Sequence, residues 1–167
     1  MVYYCNIERE GDEYIAQFPD MPNVVTCGFT HDEALAMAKE ALDGCLEVGI
    51  SHSNKIPPPA YTGGYPVSVA SHIALSLKLR ELRGNQSQTD IAQKLGLSYQ
   101  AYQRLENPRK ANPTIKTLER IVNVYGLELI VSFGERKPWA TDKDIKRFSE
   151  RKKPGQEKGY SRKQPLP

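Results

Sequence analysis

The amino-acid sequence predicts an α+β protein with two folded domains and a basic tail. Three observations support this prediction: strand-like alternation near the start, helical spacing with capping residues in the middle, and separation of acidic from basic residues along the chain. Residues 1–69 are expected to form a β-β-β-α-β domain. Residues 70–133 are expected to be all-α with a short C-terminal strand, and residues 134–167 a largely disordered tail.

The first three elements are predicted to be strands. Apolar and polar residues alternate through residues 3–8 and again through residues 14–18, on either side of the turn signal Gly11-Asp12. Alternation around a glycine-containing turn is typical of a β-hairpin. After the turn-rich residues 19–23, the β-branched composition of residues 24–27 predicts a third strand.

A helix is predicted to begin at Thr30, because Thr30 and Glu33 have the spacing of a capping box. Gly49 is expected to end this helix, and the Pro- and Gly-rich residues 56–64 are expected to form a loop inside the first domain. Residues 65–69 are predicted to be a fourth strand. The apolar stripe expected to pack on the sheet consists of Leu35, Ala38, Leu42, Cys45 and Leu46.

Four helices are predicted in the second domain, and the first three follow in order. Residues 73–82 fit both strand and helix spacing, and their Leu, Ala, Lys, Arg and Glu content favours a helix. Ser87 and Ser98 are expected to cap the starts of two short helices, which Gly96 separates by a tight turn.

The last predicted helix begins at Asn112, with Pro113 in its first helical position, and ends at Gly126. Alternation through residues 127–133 then predicts a strand with no neighbouring strand in the sequence. Pairing with its symmetry mate across a dimer would satisfy its backbone groups, and folding back onto the helices is the alternative. The residues assigned to this dimer contact are Leu127, Leu129, Val131 and Phe133.

Composition excludes several classes of protein. Among the 167 residues, no window approaches the roughly 18 consecutive apolar residues of a membrane span, and no signal-peptide pattern follows Met1. The expected location is therefore the cytoplasm. Cys5, Cys27 and Cys45 lack close metal-ligand spacing, so free, partly buried thiols are expected, with neither a metal nor a cofactor.

Charge divides the chain into one acidic and two basic parts. Residues 1–65 contain three basic and ten acidic residues, a net charge of −7. Residues 66–134 contain nine and five, a net charge of +4, and residues 135–167 contain eleven and five, a net charge of +6. This asymmetry indicates different partners, with nucleic acid on the basic side.

The segment from Ser87 to Asn107 has the pattern of a helix-turn-helix. Its predicted core positions are Ile91, Ala92, Leu95, Leu97, Tyr102 and Leu105. The rest of its second helix faces outward and presents amide and guanidinium groups near a helix N-terminus, a geometry that reaches base edges in the major groove. The candidate DNA-binding residues are Gln88, Ser98, Tyr99, Gln100, Gln103, Arg104, Asn107, Arg109 and Lys110.

Residues 70–131, carrying this pattern, resemble the DNA-binding domain of the Cro and lambda-repressor class. Residues 112–118 match the next helix of that family. The resemblance implies that Gln88 contacts a phosphate and braces the recognition helix. The base-reading and flanking positions implied by the resemblance are Tyr99, Gln100, Gln103 and Arg104.

A second resemblance covers residues 1–69. Its motifs are Phe18-Pro19-Asp20-Met21-Pro22, Thr26-Cys27-Gly28-Phe29-Thr30 and Asp32-Glu33-Ala34-Leu35, followed by Ala38 and Ala41-Leu42. Together they resemble the N-terminal domain of the HicB antitoxin family, which implies a partial ribonuclease-H-like fold. The partner implied is a HicA-like toxin, a small RNA-cleaving protein with a double-stranded-RNA-binding-like fold.

The function implied is that of a type II antitoxin that neutralises this toxin by occlusion. The second domain is expected to dimerise and to repress the operon by binding palindromic double-stranded operator DNA. The acidic first domain would complement a basic toxin surface. The residues assigned to toxin contact are Glu8, Glu10, Asp12, Glu13, Asp20 and Met21.

Catalysis is not expected. Ribonuclease-H chemistry needs several carboxylates converging on Mg²⁺, whereas Asp20, Asp32 and Glu33 are better explained as turn and capping residues. The scattered histidines lie apart from any recognisable nucleophile. The alternative function is a stand-alone, ligand-responsive transcriptional regulator with no toxin partner.

Overall fold

Four antiparallel strands form a sheet in a computed structural model that describes residues 1–132. The strands lie in the order β3-β2-β1-β4, and a long helix, α1, connects β3 to β4 in the chain. This β-β-β-α-β order confirms the predicted fold class. The elements are β1 (Val2–Glu10), β2 (Glu13–Phe18), β3 (Met21–Gly28), α1 (His31–Ser51) and β4 (Tyr65–Ser68).

The predicted tail, residues 134–167, lies outside the described residues, which form one compact unit. Within residues 1–132, no helix combines the length and the apolar character that crossing a bilayer requires.

Alternating side chains give the sheet two different faces. Tyr3, Cys5, Ala16 and Phe18 are almost fully buried, on the face that α1 covers. Their neighbours in sequence point to the opposite face, because successive strand residues alternate in direction. The register Tyr3 to Val67 and Ile7 to Ala16 continues this alternation from strand to strand.

The start of α1 is capped from both directions. The Thr30 hydroxyl accepts a hydrogen bond from the Glu33 amide at 3.1 Å, as the capping box predicts. The Glu33 carboxylate accepts from the Phe29 amide at 3.0 Å, one residue before the expected Thr30 amide. The predicted stripe is buried except at Cys45, which is exposed.

The prediction that Gly49 ends α1 is wrong. The helix continues to Ser51, and the chain turns away where Ser53 adopts a φ of +57°. Gly49 is buried inside the helix, and a Cβ built on it would lie 3.4 Å from two side-chain carbons of Ile56. A methyl group at this position would therefore meet the following loop at ordinary van der Waals distance.

Four helices follow the sheet: α2 (Ser71–Arg83), α3 (Gln88–Lys94), α4 (Tyr99–Leu105) and α5 (Ile115–Val124). The Ser87 hydroxyl accepts from the Asp90 amide at 3.1 Å, and the Ser98 hydroxyl accepts from the Ala101 amide at 3.2 Å, which confirms both predicted starts. The predicted core is also confirmed. Its buried members are Leu79, Ile91, Ala92, Leu95, Tyr102, Leu105 and Ile121, with Leu97 packed against them.

The last helix begins later than predicted. Thr114 is its N-cap instead of Asn112, because the Thr114 hydroxyl accepts from the Thr117 amide at 3.2 Å. Residues 127–132 form no strand within the described chain, and Phe133 lies outside it. Pairing of this segment with a second copy stays a prediction.

The three cysteines are expected to differ in reactivity. Cys5 is fully buried, and burial raises its pKa to about 11, whereas Cys27 and Cys45 are exposed. Because the thiolate is the reactive form, we expect a disulfide reagent to modify two thiols in the native chain and three after unfolding. Replacing Cys27 with serine should lower the native count by one and Cys5→Ser should not. Rapid reaction of all three native thiols would contradict the burial of Cys5.

Candidate nucleic-acid interface

The predicted base-reading side chains lie together on the outer side of α4. Tyr99, Gln100, Gln103 and Arg104 line one open, polar groove of about 630 Å³. All four are exposed, and the Gln103 amide donates a hydrogen bond to the Tyr99 hydroxyl at 3.3 Å. The helix therefore presents amide, hydroxyl and guanidinium groups to the same space.

The inner side of α4 fixes its orientation. Tyr102 and Leu105 are 1% and 8% exposed and belong to the core between the helices. The Ser98 hydroxyl caps the first turn, so this candidate residue already accepts a backbone hydrogen bond. Residues three or four apart share one side of a helix, and burial of one side turns the polar set outward.

A buried carboxylate joins three helices behind this surface. Glu106, just after α4, is 5% exposed and accepts from Arg83 Nε at 2.6 Å and Nη2 at 3.1 Å. It also accepts from Gln88 Nε2 at 2.7 Å. The ends of α2 and α4 and the start of α3 are thereby held together.

The same carboxylate affects the titration of its neighbours. Its hydrogen bond raises the pKa of the Arg83 guanidinium, and burial, reinforced by Glu106, raises the pKa of Tyr102. Sequence reasoning missed the role of Glu106. Its partner Arg83 is 23 residues away, and local spacing carries no signal for such a pair.

The remaining candidates, Asn107, Arg109 and Lys110, lie in the loop after α4. Asn107 and Lys110 line the groove, and the Asn107 carboxamide oxygen accepts from the Arg109 amide at 3.0 Å. Arg109 Nε donates to Glu47 of α1 at 3.0 Å, and this hydrogen bond is the main reason that the pKa of Glu47 is lowered. Arg109 is thus paired with α1 and lies outside the groove-lining set.

The end of α1 forms another wall of the groove. Ile50, Ser51 and Ser53 line it, and Arg80 of α2 donates to the Ile50 carbonyl oxygen at 3.0 Å. Local sequence patterns do not indicate this neighbour, because the contact joins residues 30 positions apart.

The candidate toxin contacts separate into two groups. Glu8, Glu10 and Asp12 are exposed and Glu13 is half-buried, and all four lie at the end of the first hairpin. The other two, Asp20 and Met21, have structural contacts instead. The Asp20 carboxylate accepts from the Ala60 and Tyr61 amides at 3.0 and 3.1 Å, and Met21 is buried.

These surfaces contain groups suited to binding. Amide groups, which are neutral, and a charged guanidinium group on an exposed helix can donate hydrogen bonds to base edges. Cationic side chains in the neighbouring loop can contact phosphates. Within residues 1–132, no three His, Cys, Asp or Glu side chains are grouped as metal ligands would be.

Comparisons with known proteins match both halves of the chain. A family model described as HicB-like antitoxin of bacterial toxin-antitoxin system matches residues 3–80, and a helix-turn-helix family model matches residues 78–131. The two matches meet within α2.

Individual proteins are similar to this chain over different lengths. Antitoxin HicB 2 of Photorhabdus laumondii subsp. laumondii is 31% identical over 134 residues, which cover 78% of this chain and 96% of that protein. Antitoxin HicB 1 of the same organism is 31% identical over 123 residues, covering 71% and 77%. The plasmid copy control protein CopR of Streptococcus agalactiae is 36% identical over 66 residues, covering 40% and 71%.

Proposed function

The chain belongs to the HicB-like antitoxin family, and on this premise we propose that it neutralises a HicA-like, mRNA-cleaving toxin and represses its own operon. The outward row of polar side chains on α4, within a helix-turn-helix, is the observation that carries the DNA-binding half. The acidic hairpin in the antitoxin-matched region supports the toxin-binding half. The protein acts by binding in the cytoplasm, without catalysis of its own.

The roles that we propose for the two domains follow the two sequence patterns. Residues 1–69 bind the toxin, and residues 70–133 bind DNA and form a dimer through the apolar segment that follows α5. Of the residues assigned to this contact, Leu127 and Val131 are 45% and 57% exposed in the single chain and Leu129 is half-buried, which supports a contact with a second copy. Two-fold symmetry would place operator half-sites about 34–36 Å apart.

Individual residues are assigned roles at the operator. Gln100 and Arg104 read base edges from α4, and Tyr99 and Gln103 flank them. Gln88, Asn107 and Lys110 contact phosphates around the recognition helix. Ser98 supports α4 through its cap.

Replacing Gln100 or Arg104 with alanine is expected to weaken operator binding by about 1–3 kcal/mol, with little effect on random DNA, since a lost base contact removes discrimination. Fluorescence anisotropy with both duplexes measures the difference. Gln93→Ala, an exposed glutamine on α3 outside the groove, is the matched control. Equal losses on operator and random DNA would remove the base-reading role.

The toxin-binding half is tested by expressing the native locus with a tag on the full-length chain. We expect a small basic protein to co-purify, with RNA-cleaving activity that is suppressed in the complex and returns after separation. A homogeneous protein without such a partner that still binds its promoter would overturn this half and favour the ligand-responsive regulator.

A further inference from the structure

We propose that the toxin, a basic protein, docks on the sheet face opposite α1. This inference rests on the proposed function and adds the surface and the chemistry that carry it. The open face, as we name it, comprises the outward side chains of the three longer strands. Its residues are Tyr4, Asn6, Glu8 and Glu10 of β1, Glu13, Ile15 and Gln17 of β2, and Val25 and Cys27 of β3.

Strand register makes these residues one continuous surface. Glu8 lies opposite Ile15, which lies opposite Cys27, so these three form a row across three strands. The next row joins Asn6 and Gln17 to Val25, and the loop before β4 contacts its Asn6 end, where the Tyr61 hydroxyl donates to the Asn6 carboxamide oxygen at 2.9 Å. Neighbouring strands are about 4.8 Å apart, so the first row and the Val25 end of the second fall within the reach of one docking protein.

The charges on the open face have one sign. Glu8, Glu10 and Glu13 place three carboxylates at its hairpin end, and Glu10 lies directly opposite Glu13. Arg9, the basic residue of these three strands, points to the other face, where its guanidinium lies 5.9 Å from the Tyr14 ring centroid. Repulsion between facing carboxylates would be relieved by a cationic partner.

Apolar side chains lie beside these carboxylates. Val25 is 52% exposed, and Tyr4 and Ile15 are half-buried. The solvated face of an antiparallel sheet is normally polar, so this arrangement is unusual for a face that only meets water. An apolar patch bordered by charged side chains is instead typical of a protein-protein interface. The acidic side chains at its border favour a basic partner. The surface of an RNA-binding toxin would be basic.

Two native cysteines provide a footprint of this surface. Cys27 lies on the open face, where the charge of Glu13 raises its pKa, and Cys45 lies on α1, which covers the opposite face. We expect the toxin co-purified with the wild-type chain to slow labelling of Cys27 by about tenfold or more, because docking excludes the reagent. Labelling of Cys45 should be unchanged. Protection of Cys45 with Cys27 still reactive would overturn the proposal.

Charge reversal supplies a second, independent measurement. The double variant Glu8→Lys with Glu10→Lys is expected to weaken toxin binding by about tenfold or more, mainly through slower association. The matched control, Glu81→Lys with Glu119→Lys, changes the net charge by the same amount on exposed positions of α2 and α5. It should bind as the wild type does.

The two failures are distinguishable. If the wild-type chain captures no RNA-cleaving protein, the antitoxin function itself fails. If the wild type captures one and the open-face variant binds it as tightly as the control variant does, the toxin docks elsewhere and only the surface assignment is overturned.

Discussion

Replacing Glu106 with alanine is expected to lower the free energy of unfolding by about 3 kcal/mol, since breaking a buried ion pair leaves an uncompensated charge. The carboxylate is 5% exposed and receives three hydrogen bonds from Arg83 and Gln88. Arg83 is 19% exposed, so water compensates it in part, which places the effect at the low end of the range for buried pairs. Equilibrium urea denaturation measures the change.

The control for this variant is an exposed pair in the same domain. Glu81 contacts Lys78 at 3.1 Å with side chains 64% and 55% exposed, and Glu81→Ala should lower the free energy of unfolding by less than about 1 kcal/mol. Replacing both Arg83 and Glu106 with apolar residues of similar size should restore part of the loss, because no charge is then left alone. Equal effects of Glu106→Ala and Glu81→Ala would show that the buried network contributes no more than a surface pair.

Phe18→Ala is expected to lower the free energy of unfolding by about 3–5 kcal/mol, through lost burial and the cavity left behind. The Phe18 ring is 0% exposed at the end of β2, on the face packed against α1. Such a loss is a large fraction of the about 5–15 kcal/mol that stabilises a typical domain. Thermal and urea unfolding of the full-length variant measure it.

The matched control is the same substitution at Phe29, whose side chain is 71% exposed. Phe29→Ala removes identical atoms and leaves its backbone hydrogen bond to Glu33 in place, so its effect should stay within about 0.5 kcal/mol. Comparable losses for the two variants would contradict the burial that separates them.

Local signals in the sequence predicted most of the fold correctly. Thr30, Ser87 and Ser98 were each identified as helix caps, because the capping bond spans only three residues. The same rule failed at Asn112, since Thr114 is an equally suitable cap two residues later and the local pattern does not choose between them. The strand alternation of β1 and β2 likewise contained enough information to place both strands.

Contacts between distant residues could not be predicted in this way. The sequence around Gly49 predicts a helix end, because the contact between Gly49 and Ile56 leaves no local signal. The sequence predicts Asp20 as a turn residue and a toxin contact, but it carries no signal for the hydrogen bonds that the Asp20 carboxylate accepts from the loop amides of Ala60 and Tyr61. The α4 side chains were identified because they follow one helix, but Glu106 depends on a partner in another helix.

The alternation of β1 also limits how its length can change during evolution. Losing or gaining a single residue within this strand reverses the direction of every side chain beyond that point. Such a change upstream of Ile7 would turn Glu8 toward α1 and expose Ile7, which now lies opposite Ala16. Single-residue insertions and deletions in relatives should therefore be depleted within β1 and tolerated better at the turn around Gly11, where the pairing register ends.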